Sequence, residues 1–441
     1  GVKLSSPPHL ACLGAESWFV LHYVSVVQLG GFPTVNGWMV YAFINFFYIL
    51  AFYQMVRSIV GKKHSRIPAT ATVIGTLFAG FGWMKAISLS FDSEAMWAQI
   101  LSSAGYLTYN DIIYVFLYGP IPQYLSLAMM CSLLYLMMRK EEFSLSSAFL
   151  TVILVSNSYL VHIPEIILFS VFYYCYLFFV GKKKVRRLKR FTFSIFTGIL
   201  IVIILGIPFP NHFFYGQKLP LFILLLSTSL TLVPMYLKDK IHFSFVFPRK
   251  LSLLIIILAW TFYGLSFMAW GATQDLNITG NLCSFCLKPW YIWPIHQGIS
   301  GLLVLLGVTY LVTVQRAELK NFKFLLLSLI MFLVAGKIIS YVNINIISTG
   351  YWEKRFGSFT IIPISIIGAF FLIQSLGKSS SKISAQQLKT YPAKSAVAAL
   401  LIALIVISGV ASMVLALDYK TSVAKSSSYA HISNGEMEAL E

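Results

Sequence analysis

Residues 251–271 read LSLLIIILAWTFYGLSFMAWG, and this stretch decides the fold because it contains no charged side chain. A helix that crosses the hydrocarbon core of a membrane needs about 20 predominantly apolar residues. The run is continuously apolar, whereas a strand of a membrane barrel alternates apolar and polar residues. The stretch therefore predicts a membrane-spanning helix that begins just after the basic pair Arg249 and Lys250.

The composition of the whole chain agrees with this interpretation. Its 441 residues are 58% hydrophobic, 16% aromatic and only 11% charged, whereas about 25% of the residues in a soluble domain are charged. This excludes soluble dehydrogenases, nucleases and proteases. Because a backbone within lipid must satisfy its own hydrogen bonds, the sequence predicts an all-α polytopic integral membrane protein.

About twelve stretches are long and apolar enough to span the membrane as helices. Each is bounded within a few residues by a charged or turn-forming cluster. The predicted spans are Val35–Val60, Pro68–Leu89, Ile112–Met138, Ser144–Val161, Ile163–Val180, Phe191–Phe209, Leu219–Leu237, Leu251–Gly271, Ile292–Val314, Phe324–Val342, Ser358–Leu376 and Ala396–Leu417.

The basic residues predict the orientation of these spans. One alternate set of loops contains 24 of the 33 Lys and Arg residues, and the other set, with both chain ends, contains only seven. Short loops rich in Lys and Arg stay on the cytoplasmic side, so both termini are predicted outside the plasma membrane. The net charge of +18 is then an orientation signal and an attraction to anionic membrane lipids, and no nucleic-acid partner is expected.

Three regions follow from this topology. Residues 1–34 form an outer N-terminal segment, in which Leu10–Gly31 is apolar but contains Glu16 and His22 and predicts a re-entrant or interfacial helix. Residues 35–417 form the transmembrane helical domain, and residues 418–441 form an outer tail. Because the chain begins outside without a translocating element, we expect an upstream signal sequence or an upstream span.

Two cysteines lie in the outer loop between Gly271 and Ile292. Cys283 and Cys286 are close enough in sequence for a local disulfide, and two free thiols are the main alternative. Zinc would need two further ligands. The same loop contains Asn277 in an N-glycosylation sequon, whereas Cys131 and Cys175 lie within spans, where a free cysteine behaves as a small hydrophobic residue.

Carboxylates are concentrated on the predicted outer face. Asp92 and Glu94 flank Ser93 in the second outer loop, a pattern that suits a divalent cation such as Mg²⁺ or Mn²⁺, or a sugar hydroxyl. The alternative is a helix cap beside a solvated carboxylate. His162 and Glu165 flank Pro164 where two spans meet, and this ionisable pair is a further candidate beside a simple turn. Glu353 in the last outer loop is another polar candidate on the outer face.

Three basic residues suggest an anion site at the outer boundary. Lys85 and Lys337 lie inside predicted spans, each about one and a half turns from the outer end, and Arg355 follows Glu353 in the last outer loop. Snorkelling of the two lysines to the interface is the alternative. A basic lining for a phosphate also predicts that replacing either lysine by Met leaves folding nearly unchanged, because removing a buried charge that has no protein partner is rarely destabilising.

The order of several short motifs resembles membrane glycosyltransferases of the GT-C type, above all their uncharacterised archaeal and bacterial members. The resemblance covers mainly residues 1–180 and 345–376. Its motifs are Ser6-Pro7-Pro8-His9 with Trp18, His22 and Gly31-Phe32-Pro33; Tyr118-Gly119 opening a span that ends at Arg139-Lys140; His162-Ile163-Pro164; Pro289-Trp290-Tyr291 with Gly298; and Arg355-Phe356.

The resemblance implies transfer of a sugar from a polyprenyl-phosphate carrier to an acceptor outside the membrane. In such a transfer a base activates the acceptor hydroxyl and cations stabilise the departing phosphate. The candidates for the base are Glu16, Asp92 and Glu94, and those for the lipid phosphate are Lys85, Lys337 and Arg355.

One part of the family pattern is missing from this chain. The first span of the family and the acidic motif after it would lie upstream of Gly1, so we expect an upstream segment or another membrane chain to supply them. Two alternatives follow. A non-catalytic membrane subunit that scaffolds a larger complex fits the incomplete site. A transporter would need polar groups near the bilayer midplane, and the predicted spans contain almost none.

Overall fold

The computed structural model describes residues 33–61, 65–78, 80–81, 121–139, 143–161, 163–179, 185–206, 249–272, 290–314, 316–341, 353, 356–357, 359–377, 396–397 and 399–412. Within these ranges the chain consists of α-helices joined by turns, and no strand occurs. The prediction of an all-α protein is confirmed for this part of the chain.

Eleven helices occur among the described residues. They are α1 Pro33–Val60, α2 Ile67–Thr76, α3 Ile121–Met138, α4 Leu145–Val161, α5 Ile163–Phe179, α6 Val185–Gly206, α7 Arg249–Ala272, α8 Ile292–Thr313, α9 Arg316–Tyr341, α10 Ile361–Gly377 and α11 Ala399–Ser412.

Each helix overlaps one predicted span, and the predicted span Leu219–Leu237 lies outside the described residues. Helices α6 and α9 begin several residues before their apolar runs, at Val185 and Arg316, because a helix continues wherever its backbone hydrogen bonds do and need not end where the apolar sequence ends. Helix α2 ends early, at Thr76, shortly before Gly80, and glycine is a poor helix former.

Among the described residues, three helices are long and apolar enough to cross a membrane, judged by length and composition. Their apolar parts are Phe43–Val60, Lys250–Ala272 and Trp293–Thr313. Helix α7 buries little of its apolar surface, and residues such as Leu254, Leu258 and Met268 are exposed. This surface suits lipid contact. The total of twelve spans, their orientation and the position of the termini stay predictions.

The chain divides into two compact units. The first contains Gly1–Thr72, Gly119–Val246 and Lys320–Leu333. Within it, α1 packs on α3, α3 packs on α4 and α5, and α4 packs on α5 and α6. The ring of Phe172 lies edge-on to that of Phe332, with centroids 4.8 Å apart.

Helices α4 and α6 approach closely at a glycine. A Cβ atom on Gly198 would lie 2.9 Å from the carbonyl oxygen of Val152, and the hydroxyl of Ser156 donates a 2.9 Å hydrogen bond to the carbonyl oxygen of Gly198. This combination of a small residue and a serine is typical of helix packing within membranes.

A basic residue in the first turn of α6 stabilises the end of another helix in the same unit. Arg187 donates a 2.6 Å hydrogen bond to the carbonyl oxygen of Leu136, one of the last carbonyls of α3 that lack a helical partner. Burial is the main cause that lowers the pKa of Arg187 from its usual value. Arg187 is one of the basic residues that predict the orientation of the spans, and it therefore also has a structural role.

The second unit contains Val73–Tyr118, Phe247–Leu319 and Val334–Glu441. Its described centre is α8, which packs on α7 and on α10. Helix α8 is interrupted at Gly298, whose φ of 54° and ψ of −142° are not helical. Glycine adopts a positive φ without the steric penalty of a side chain, so the interruption can persist there.

The groups around this interruption find partners outside α8. The hydroxyl of Tyr263 in α7 donates a 2.8 Å hydrogen bond to the carbonyl oxygen of Gly298. The backbone N–H of Phe81 donates a 2.9 Å hydrogen bond to the carbonyl oxygen of Ile295. Such compensation is what a broken helix needs where water is scarce.

Candidate functional site

Helix α8 has a polar face that is buried inside the second unit. Trp293, His296 and Gln297 precede the interruption at Gly298 and are spaced by three and four residues, so their side chains lie on one side of the helix. Ser300 follows the interruption. All four are buried. Buried polar side chains in an otherwise apolar helix indicate either specific packing or a site.

This face meets an ion pair formed by two residues of the same unit. The ammonium Nζ of Lys337 in α9 pairs with Oε1 of Glu353. The indole Nε1 of Trp293 donates a 2.9 Å hydrogen bond to the same oxygen. We refer to Trp293, His296, Gln297, Lys337 and Glu353 together as the Lys337 cluster.

The two charged side chains differ in their access to the surroundings. Glu353 is completely buried, whereas 23% of the Lys337 side chain is exposed. A buried carboxylate loses its hydration and needs a counter-charge, which Lys337 supplies. The exposed fraction leaves part of the Lys337 side chain accessible.

Packing fixes the Trp293 ring in this arrangement. The ring stacks on that of His296, with centroids 5.8 Å apart and an interplanar angle of 23°. On another side the ring occupies the space that a side chain on Gly357 would need. Gly336 is similarly crowded, since a Cβ there would lie 3.0 Å from Cβ of Phe356. The indole is therefore held where it can bond to Glu353.

Glu353 and Gln297 each have a polar atom with no hydrogen-bond partner among the described residues. These atoms are Oε2 of Glu353 and Nε2 of Gln297. Both side chains are more than nine-tenths buried. Oε2 of Glu353 can accept a hydrogen bond, and Nε2 of Gln297 can donate one.

The Lys337 cluster lies near the ends of its helices. Trp293 is the second residue of α8, and Lys337 is four residues before the end of α9, which is about 6 Å along the helix axis. The predicted topology places both of these ends on the outer side. The cluster would then lie at the membrane boundary and away from the bilayer midplane.

The structure corrects one expectation for Lys337. We expected Lys337→Met to leave folding nearly unchanged on the premise that Lys337 has no protein partner. This premise is wrong, because Glu353 pairs with Lys337. Glu353, interpreted as a polar residue of the outer face, is completely buried. Sequence spacing could not reveal the pair because 15 residues separate its two members.

The other site candidates have different positions. Glu165 is completely buried in the first turn of α5. It belongs to the first unit, whereas the Lys337 cluster belongs to the second. Helices α4 and α5 meet at Val161 and Ile163, which confirms the predicted junction. The remaining candidates lie outside the described residues: Glu16, Lys85, Asp92, Glu94, His162, Asn277, Cys283, Cys286 and Arg355.

Sequence reasoning missed three members of the cluster, namely Trp293, His296 and Gln297. The pattern that could have found them is the pair His296-Gln297 inside an apolar span, one helical turn after a tryptophan. Pro289-Trp290-Tyr291 and Gly298 were noted on either side, but the spacing of the polar face was not used.

The described residues contain no group of three or more His, Cys, Asp or Glu side chains that could hold a metal ion. The expected Mg²⁺ or Mn²⁺ ligands, Asp92 and Glu94, lie outside those residues. Cys131 and Cys175 are buried free thiols, which confirms their interpretation as small hydrophobic residues.

No known protein family, curated protein or solved structure matches this chain.

Proposed function

We propose that this chain is a GT-C-like membrane glycosyltransferase that moves a sugar from a polyprenyl-phosphate carrier to an acceptor on the outer face of the membrane. The observation that carries the proposal is the Lys337 ammonium, which a fully buried carboxylate orients near the end of α9. The order of the sequence motifs supports the same function.

The ion pair suits phosphate binding in two ways. Glu353 and the Trp293 indole fix the position of the ammonium, so that less side-chain entropy is lost when a ligand binds. The exposed part of Lys337 gives a lipid phosphate access to this side chain. Because Glu353 offsets the charge of Lys337, the proposal assigns the additional positive charge to Lys85 and Arg355.

The chemistry of the transfer sets the remaining roles. The acceptor hydroxyl must lose a proton as it attacks the sugar, and the carrier phosphate leaves with increased negative charge. Glu16, Asp92 and Glu94 are the proposed bases, with Mg²⁺ or Mn²⁺ as a cofactor that the last two could hold. Membrane lipid surrounds the site, and the carrier lipid reaches it from the side.

A transporter is the second candidate, and the interruption of α8 at Gly298 favours it. Discontinuous helices form the substrate sites of many transporters, usually near the midplane of the bilayer. The Lys337 cluster lies near helix ends, which favours an enzyme that acts at the membrane boundary. A scaffolding subunit would copurify with a stoichiometric partner chain.

We expect the purified chain to bind undecaprenyl phosphate, used as the probe. The double variant Lys337→Met/Glu353→Gln removes both charges together, so that no uncompensated carboxylate remains. It should bind the probe more weakly by about 1.5–3 kcal/mol, the usual contribution of a charge-assisted contact. Affinity in detergent, measured by intrinsic tryptophan fluorescence or calorimetry, tests this.

Lys323→Met is the matched control for this measurement. Lys323 lies on the same helix as Lys337, near its other end, about 21 Å away along the axis. Its replacement should leave the affinity for undecaprenyl phosphate unchanged. If the double variant elutes as a single species and binds the probe as tightly as the natural chain, Lys337 is not a phosphate ligand.

A further inference from the structure

We infer that Oε2 of Glu353 accepts a hydrogen bond from a hydroxyl group of the sugar that the polyprenyl phosphate carries. This inference rests on the proposed function and extends it from the phosphate to the sugar. It makes Glu353 a residue that distinguishes the loaded carrier from the bare lipid phosphate.

The two oxygens of the Glu353 carboxylate differ in their hydrogen-bond partners. Oε1 of Glu353 receives both the Lys337 ammonium and the Trp293 indole. Oε2 is fully buried and accepts no hydrogen bond from the described residues. A buried polar atom without a partner costs about 1–3 kcal/mol, and such atoms in native proteins call for an explanation by a ligand, water or function.

The chemistry of the carboxylate limits which groups can bond to Oε2 of Glu353. An ionised carboxylate only accepts hydrogen bonds, so the partner must be a donor. The oxygens of an ionised phosphodiester also only accept, and the polyprenyl chain neither donates nor accepts. Of the parts of a sugar-bearing polyprenyl phosphate, only the sugar hydroxyls can donate to Oε2.

Gln297 provides an independent observation that points to the same kind of ligand. Its Nε2 donates to none of the described residues and its side chain is more than nine-tenths buried. It lies one turn after Trp293 on the same face of α8. A hydroxylated ring can donate to a carboxylate and accept from an amide, whereas a phosphate alone could satisfy only the amide.

The order of the groups along the ligand indicates which hydroxyl this is. The Lys337 ammonium contacts Oε1 of the carboxylate whose other oxygen is Oε2, so a phosphate bound to Lys337, as the proposed function has it, would be near Glu353. In a polyprenyl-phosphate sugar, the phosphate is attached to the anomeric carbon, and the 2-hydroxyl is on the neighbouring carbon. Of the sugar hydroxyls, the 2-hydroxyl is therefore the one that we assign to Glu353.

The test compares lipids that differ only in the sugar. The probes are a short-chain polyprenyl phosphate, the same lipid with glucose, galactose or mannose, and the 2-deoxy analogues. The full chain should bind at least one sugar-bearing lipid about tenfold more tightly than the bare phosphate, as a hydrogen bond to a charged group would give. The matching 2-deoxy analogue should lose most of this preference.

Two variants separate the role of Oε2 from a general effect on packing. Glu353→Gln keeps the shape of the side chain and an acceptor for the Trp293 indole, but it can place an amide nitrogen at Oε2. It should reduce the ratio of the two affinities, for the sugar-bearing lipid and for the bare phosphate, to about twofold or less. Trp260→Phe is the control, because it removes an indole hydrogen bond of 3.1 Å to Thr309 in the same unit, and it should keep the preference.

The possible results distinguish the inference from the proposed function. If the natural chain binds neither the bare nor the sugar-bearing lipids, the proposed function fails. If it binds all of them equally, or if the 2-deoxy analogues bind as tightly as their parents, the proposed function stands and the role of Glu353 in sugar recognition is wrong. The 2-deoxy comparison needs no variant, so it decides even if Glu353→Gln does not fold.

Discussion

Replacing Lys337 by Met should destabilise the protein by about 3 kcal/mol. The substitution removes the counter-charge from Glu353, whose side chain is completely buried, while its Oε1 atom keeps only the hydrogen bond from Trp293. Breaking a buried pair by removing one partner costs about 3–5 kcal/mol. The lower end applies because 23% of the Lys337 side chain is exposed. Unfolding in detergent, followed by denaturant or temperature, measures the change.

A double-mutant cycle identifies the cause of this loss. Adding Glu353→Gln to Lys337→Met removes the uncompensated charge and should recover most of the lost stability, because neutral replacements of buried pairs are often tolerated. Lys323→Met, on the same helix, should change the stability by less than about 1 kcal/mol. Equal effects of Lys337→Met and Lys323→Met would contradict a stabilising role for the ion pair.

Replacing Gly357 by Ala should have an effect of similar size, about 3–5 kcal/mol. A Cβ atom at this position would overlap the six-membered part of the Trp293 ring, so either the ring or the backbone must move. Overpacking alone costs about 1–3 kcal/mol, and displacement of the ring also breaks the indole hydrogen bond to a buried carboxylate. A red shift of tryptophan fluorescence together with a lower unfolding midpoint would report both events.

Gly264 is the matched control for this substitution. It lies within α7, and a Cβ atom there would meet nothing within 4 Å. Gly264→Ala should therefore stabilise the protein by up to about 1 kcal/mol, the difference in helix propensity between the two residues. The two substitutions have the same chemistry and opposite expected signs. A stable Gly357→Ala variant would show that the Trp293 ring is not held as described.

The positions of the helices could be predicted because lipid imposes a simple rule on sequence. Residues 251–271 contain no charge, and the helix found there is Arg249–Ala272. Helix ends were less predictable where charged residues continue the helix, as at Arg316. The interruption at Gly298 could not be inferred either, because an isolated glycine is tolerated within a helix and only the surrounding packing decides its conformation.

The candidate site was predicted only in part. Lys337 was identified because an ionisable residue within a span needs an explanation, and Glu353 was identified as a polar residue of the predicted outer face. Their pairing could not be predicted, since 15 residues separate them in the sequence. Trp293 was not identified from the sequence, and its role became visible only through its hydrogen bond to Glu353.

The most direct test of the proposed function is a cryo-EM structure of the full chain in a lipid nanodisc with undecaprenyl phosphate. We expect density for the phosphate within hydrogen-bond distance of Nζ of Lys337, about 2.7–3.2 Å, with the polyprenyl chain extending into the surrounding lipid. The Lys337–Glu353 pair should remain intact beneath it. Phosphate density confined to another part of the protein, or none at saturating lipid, would contradict the proposal.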